Sequence, residues 1–83
     1  MWYVYFLLLR NGDTYVGSTN DFRRRLESHR SGDVTSTKAY LPVILKTYIA
    51  VETGASARQL ERYFKTGSGK AFASKRFWRT ARR

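Results

Sequence analysis

The sequence has no cysteine, one proline, one histidine and only six acidic residues. Each shortage excludes something. Without cysteine there is neither a disulfide framework nor a thiolate metal site. Packing alone must hold such a domain together, and a cytoplasmic setting suits it. No apolar run approaches the roughly 20 residues that span a bilayer. The opening MWYVYFLLLR has no basic n-region and no small-residue cleavage site, so it reads as a buried strand rather than a leader. No long amphipathic helix sets basic residues against aromatics, which argues against a membrane partner. There is no internal repeat and no inter-domain linker. A chain of 83 residues suffices for a single domain, 1–83, with one modest core.

What is abundant is positive charge. Sixteen Lys and Arg stand against the six acids, for a net charge of +10. An imbalance of this size in so small a chain implies a polyanionic partner, nucleic acid before membrane. A hydrophobic content of 42% is too high for a disordered tail.

Trp2 to Leu9 is a continuous aromatic and aliphatic run, the pattern of a central strand covered on both faces. Asn11-Gly12 signals a turn, and Thr14 to Gly17 forms the second strand of a hairpin. Ser18, Thr19 or Asn20 caps a helix that runs to about Arg30 and stops near Gly32. Asp33 to Leu41 is polar and irregular. Val43 to Val51 is a third strand. Gly54 breaks it, and Ser56 with Gln59 makes a capping box for a second helix up to Thr66. Gly67-Ser68-Gly69 is a further break, and Lys70 to Arg83 is a short third helix with a basic, aromatic tail. The expectation is an α/β (α+β) domain: a three-stranded antiparallel sheet flanked by helices, in the order β-β-α-β-α-α.

A helical wheel at about 100° per residue separates the three arginines of the first helix. Phe22, Leu26 and His29 share the face that meets the sheet, and Arg25 lies between them. Arg24 points nearly opposite and Arg23 to the side. A charge turned toward the protein is costly without partners, unless it snorkels at the helix edge. On the second helix Ala57, Leu60 and Phe64 form the apolar face, with Glu61 in its middle. Arg25 and Glu61 either pair with each other or line one cleft, where the glutamate holds a metal and the arginine meets a phosphate. The hairpin decides a further point. A two-residue Asn11-Gly12 loop sets Leu8 opposite Tyr15 and Tyr5 on the other face. A three-residue loop or a bulge puts Tyr5 and Tyr15 together. The dipeptide leans to the shorter loop, but a site that uses both tyrosines requires the odd register, which is the one expected.

The pattern as a whole resembles the GIY-YIG nuclease family. Tyr3-Val4-Tyr5 stands for the first tripeptide and Tyr15-Val16-Gly17 for the second, their tyrosines ten residues apart across a turn. Arg25 follows ten residues on, on the next helix, with His29 one helical turn beyond it. Glu61, with Lys65 four residues later, takes the place of the family's metal ligand. The resemblance covers about Tyr3 to Phe77. It departs at Tyr3 and Val4, which replace glycine and isoleucine, and at Ser18, where some members have lysine. The late asparagine of many members is missing; Asn11 and Asn20 both come too early.

The resemblance implies a metal-dependent DNA endonuclease. Tyr5 serves as general base, Tyr15 as a positioning or relay group, Arg25 as the phosphate clamp, and His29 as a relay or phosphate ligand. Glu61, a hard oxygen ligand, suits Mg²⁺ or Mn²⁺. A tyrosine needs nearby cations to be useful at neutral pH. Arg23, Arg24, Arg30, Lys38, Lys46, Lys70, Lys75 and Arg76 supply contacts to the DNA backbone. Phe77 and Trp78 either stack on an exposed base or pack the last helix. Gly67-Ser68-Gly69-Lys70 is not a nucleotide-binding loop: Phe64 stands where the motif needs glycine and Ala71 where it needs Ser or Thr. No nucleotide cofactor is therefore expected. Choice of DNA by shape is favoured over choice by sequence, and a protein partner that supplies targeting is left open. The rivals are a non-cutting nucleic-acid-binding module on the same fold and a structural basic protein.

Overall fold

The strand Trp2–Leu8 (β1) lies in the middle of the sheet, as its unbroken apolar run requires. The sheet order is β2-β1-β3 and both pairings are antiparallel. The computed structural model describes residues 1–78. After β1 come β2 (Thr14–Thr19), α1 (Phe22–Arg30), a 3₁₀ turn at Lys38–Tyr40, β3 (Ile44–Val51), α2 (Gly54–Phe64) and α3 (Gly67–Arg76).

Each face of β1 feeds its own core. Val4 and Phe6 meet Val16, Ala57, Phe64 and Ala73 on the side covered by α2 and α3. Tyr5 and Leu7 meet Leu9, Val43, Phe22 and Leu26 on the side covered by α1. Four consecutive residues, Val4 to Leu7, are at most 1% exposed, and each large side chain among them contributes about 1.5–3 kcal/mol by leaving water. The two helices that carry the expected site residues therefore lie on opposite faces of one sheet.

The hairpin has the odd register. Leu7 pairs with Tyr15 and Tyr5 with Gly17, so both tyrosines face α1. The loop is Arg10-Asn11-Gly12, closed by Leu9 N–H donating to Asp13 O at 2.8 Å and Gly12 N–H to Leu9 O at 2.9 Å. Asn11 does not sit in a two-residue turn because its side chain folds onto Asp13: its Oδ1 accepts from Asp13 N–H at 3.0 Å. Gly12 takes the left-handed conformation that ends such a loop, at φ +93°.

Three helix starts differ from the sequence expectation. Asp21, rather than Ser18, Thr19 or Asn20, caps α1 by accepting from Arg24 N–H; Ser18 and Thr19 belong to β2. Thr53, not Ser56, caps α2, and Gly54 is its first residue rather than a breaker. Thr66 caps α3, so Gly67-Ser68-Gly69 forms its first turn and the helix stops at Arg76. Gly69 is there for close approach: a Cβ would strike the Tyr63 carbonyl and the Phe64 backbone. Phe77 and Trp78 pack on Phe6, with ring centroids at 5.5 and 5.3 Å; this is the packing alternative. The tail beyond Trp78 lies outside the described residues.

Candidate active site

Alternation along β1 and β2 sends Tyr5 and Tyr15 toward α1, and one turn of α1 separates Arg25 from His29. These four side chains converge. The Tyr5 hydroxyl and His29 Nε2 are 2.8 Å apart, and Arg25 Nε–H donates to the Tyr5 oxygen over 3.4 Å. The Tyr15 ring lies 5.1 Å from that of His29 and 6.4 Å from that of Tyr5. Tyr5 and His29 are buried. Arg25 is exposed along its length and reaches in with its guanidinium, so it both snorkels and touches the cluster.

Gly17 is what lets the cluster close. It pairs with Tyr5 across the hairpin, and a Cβ there would lie 2.5 Å from the Tyr5 hydroxyl and 3.1 Å from the Tyr15 ring. The glycine leaves the room that the phenol fills.

Glu61 reaches the same strand from the other face of the sheet. Ser18 Oγ–H donates to its Oε1 at 2.6 Å, and Lys65 Nζ–H donates to Oε2 at 2.8 Å. Among the described residues Glu61 makes no ion pair with Arg25; its salt bridge is to Lys65. The simple Arg25–Glu61 pair is therefore not what holds either residue. The site straddles β2, an edge strand, with the carboxylate on one side and the phenol on the other.

The charges are set accordingly. Burial pushes the Tyr5 hydroxyl above its ordinary value, and the Arg25 hydrogen bond only partly offsets this. The nearby cation does not make Tyr5 acidic in the free protein. The hydrogen bond to Tyr5 raises the pKa of Arg25, against the effect of burial. For Glu61, burial acts upward, but the Lys65 and Ser18 hydrogen bonds and the charges of Lys65 and Arg25 outweigh it and hold the carboxyl below its usual range. Burial first, and Arg25 second, lower His29 to about 4. It is neutral at pH 7.

A stability prediction arises here. The unfolded histidine binds a proton near pH 6.5 and the folded one only near 4, so its contribution is fully present above about pH 6.5 and is lost as the pH falls toward 4. Between pH 7 and 5 the loss is about 2 kcal/mol. Urea unfolding at the two pH values should show it, and His29→Asn should flatten the difference; equal pH dependence in both proteins would count against it.

Glu61 is a hard ligand with spare lone pairs on both oxygens. Among the described residues no cluster of three or more His, Cys, Asp or Glu surrounds it. One ionised carboxylate fits an ion that keeps most of its waters, as Mg²⁺ does, and not a closed protein cage. Beside Lys65 a cleft of about 540 Å³ opens between the hairpin and α3, lined by Phe6, Phe64 and Trp78 with Lys65 and Lys70 at its sides.

Arg23, Arg24, Arg30, Lys38, Lys46, Lys70, Lys75 and Arg76 are all exposed. Arg76 lies over the Phe72 ring at 5.5 Å. Two partners escaped the sequence reading. Ser18 had a signal, since it shares the α2 side of β2 with Val16. Thr37 had none: it is buried in the irregular segment before β3, and its Oγ1 lies 2.9 Å from His29 Nδ1.

Fold and constellation together define a GIY-YIG catalytic domain. The family model of that description matches residues 1–76, and the chain belongs to this family, whose domain is a nuclease fold. Its relatives are small proteins designated UPF0213. The chain is 41% identical over 69 residues to the UPF0213 protein of Bacillus licheniformis, covering 82% of this chain and 71% of that one. It is 39% identical over 61 residues to that of Xanthomonas axonopodis pv. citri, covering 72% and 60%. The solution NMR structure of the UPF0213 protein of Bacillus halodurans superposes with a TM-score of 0.60 at 29% identity, covering 94% of this chain and 88% of that one. No described helix is long and apolar enough to cross a membrane.

Proposed function

We propose that the protein is a divalent-metal-dependent endonuclease that nicks DNA in the cytoplasm and selects its substrate by shape. The observation that carries this reading is the convergence of Tyr5, Arg25 and His29 at one edge of β2, with the ionised Glu61 held at the other by Ser18 and Lys65.

Arg25 spends one N–H on Tyr5, and its outer fork remains for the scissile phosphate. It stays charged throughout and opposes the charge that builds on the phosphoryl oxygens. Tyr5 is a phenol in the free protein, so its own hydroxyl proton passes to a phosphoryl oxygen as its oxygen takes one from the attacking water, the new P–O bond forms and the old one breaks. The departing oxygen takes up a proton. Tyr15 flanks Tyr5 and orients it. Glu61 would hold Mg²⁺ or Mn²⁺, which adds positive charge beside the phosphate. The exposed arginines and lysines hold the backbone on either side, without sequence reading. One such site cuts one strand.

The test is nicking of supercoiled plasmid and of a branched DNA in Mg²⁺, Mn²⁺ or EDTA. The wild type should cut only with metal, and Arg25→Ala should cut at least about 100-fold more slowly. Salt-sensitive binding with no cleavage of any substrate would instead favour the non-cutting module.

A further inference from the structure

We propose that the cleft between the hairpin and α3 takes one unpaired base of the DNA strand being cut. The inference rests on the nuclease reading for its substrate and adds the feature of DNA shape that the protein selects: a nucleotide without a partner near the cut.

The cleft and the carboxylate share a face of the sheet. Val4, Phe6 and Leu8 of β1 pair with Ser18, Val16 and Thr14 of β2, so these three β2 residues alternate onto the side that α2 and α3 cover. Ser18 holds Glu61 at one end, and Thr14 lines the cleft at the other. They lie four residues apart, about 13 Å of strand. Lys65 bridges the interval: its Nζ is 2.8 Å from Glu61 Oε2, and it also lines the cleft. A DNA strand that crosses the β2 edge from Arg25 to Glu61 and continues in the same direction meets Lys65 and then the cleft.

The lining fits a nucleotide. A cleft of about 540 Å³ lies in the range of small-molecule sites and has no room for a duplex. Phe6 and Phe64 form a floor nearly closed to water. Trp78 is half-buried and packed against Phe6 and Phe77, with ring centroids at 5.3 and 6.0 Å. It offers a base an aromatic wall already in place, and such contacts tolerate any sequence. The charges orient the guest. Lys65 and Lys70 come from the helices and Asp13 from the hairpin. Phosphate belongs with the lysines; the carboxylate repels it and accepts N–H groups of a base instead. A base inside a duplex is stacked and paired, and it must leave the helix to enter a pocket. The strand that fills the cleft without that cost is one whose base is already unpaired.

The test reads binding in EDTA, apart from cleavage, by fluorescence anisotropy. The probes are a duplex, the same duplex with a short single-stranded flap, and that flap made of abasic residues, which keep every phosphate. The wild type should bind the intact flap about tenfold more tightly than the abasic one. Thr14→Trp fills the cleft from the exposed end of β2. It should bring the two flaps to equal affinity and leave duplex binding and thermal unfolding unchanged. Equal affinity of the wild type for the two flaps overturns the proposal, as does a folded Thr14→Trp protein that still tells them apart. The abasic comparison needs no variant, so it stands whether or not Thr14→Trp folds. A wild type that favours the intact flap and cuts no DNA in Mg²⁺ upholds the cleft and overturns the nuclease reading; one that cuts DNA and shows no such preference does the reverse.

Discussion

Replacing Glu61 by glutamine should lower metal-stimulated nicking by at least about 10³-fold while DNA binding persists. The amide keeps the shape of the side chain and can still accept from Ser18, now 2.6 Å from Oε1. It cannot balance Lys65, and it gives a hard cation no anionic ligand. Stability should change by less than about 1 kcal/mol, because the Lys65 partner is solvent-exposed and such pairs contribute little. Affinity for DNA should hold or rise slightly, since a negative charge leaves a surface that binds phosphates. Plasmid nicking with Mg²⁺ and fluorescence anisotropy on the same preparation measure the two quantities. A variant that nicks at the wild-type rate would remove Glu61 from the chemistry.

Alanine at Gly17 should be nearly as damaging by a different route. The added Cβ would sit 2.5 Å from the Tyr5 hydroxyl and 2.6 Å from the ring carbon that bears it. Tyr5 is 1% exposed, so its ring has no free volume into which to retreat. Either the phenol leaves His29 or the hairpin spreads. Overpacking of this kind costs about 1–3 kcal/mol of stability, and displacement of the phenol should reduce cleavage by about 100-fold or more. Gly67 provides the contrast. A Cβ there meets nothing within 4 Å, and it stands in the first turn of α3. Gly67→Ala should leave activity unchanged and stabilise by about 0.5–1 kcal/mol. Thermal unfolding and nicking rates on both variants settle it; equal behaviour of the two would show that the space beside Tyr5 is not limiting.

The sequence made some of this legible and hid the rest for physical reasons. The order of elements was readable because periodicity changes cleanly from the unbroken run of β1 to the 3.6-residue spacing of Phe22, Leu26 and His29. The odd register was reached from the demands of a site, against the pull of Asn11-Gly12. The dipeptide misleads because Asn11 caps Asp13 with its side chain instead of occupying the turn. Helix starts were misplaced by one to three residues, since Asp21, Thr53 and Thr66 compete with other polar residues nearby and only backbone geometry selects among them. The wheel found that Arg25 and Glu61 turn inward. It did not reveal that their helices cover opposite faces of the sheet, which depends on topology. Thr37 was invisible because a buried polar contact in an irregular segment leaves no periodic trace.

The placement of the carboxylate and the phenol on opposite faces of the sheet, each beside its own core, has a corollary. Each arm of the site is packed by its own set of side chains, Ala57, Leu60 and Phe64 for Glu61 and Leu7, Phe22 and Leu26 for Tyr5 and His29. Substitutions can accumulate in one arm without disturbing the scaffold of the other. A descendant that loses the α2 carboxylate keeps an intact hydroxyl–imidazole line and a full basic surface. On the proposed function, cutting and holding are separable in this fold: loss of the α2 carboxylate alone would leave the groups that grip phosphate, by change on one side of a single sheet.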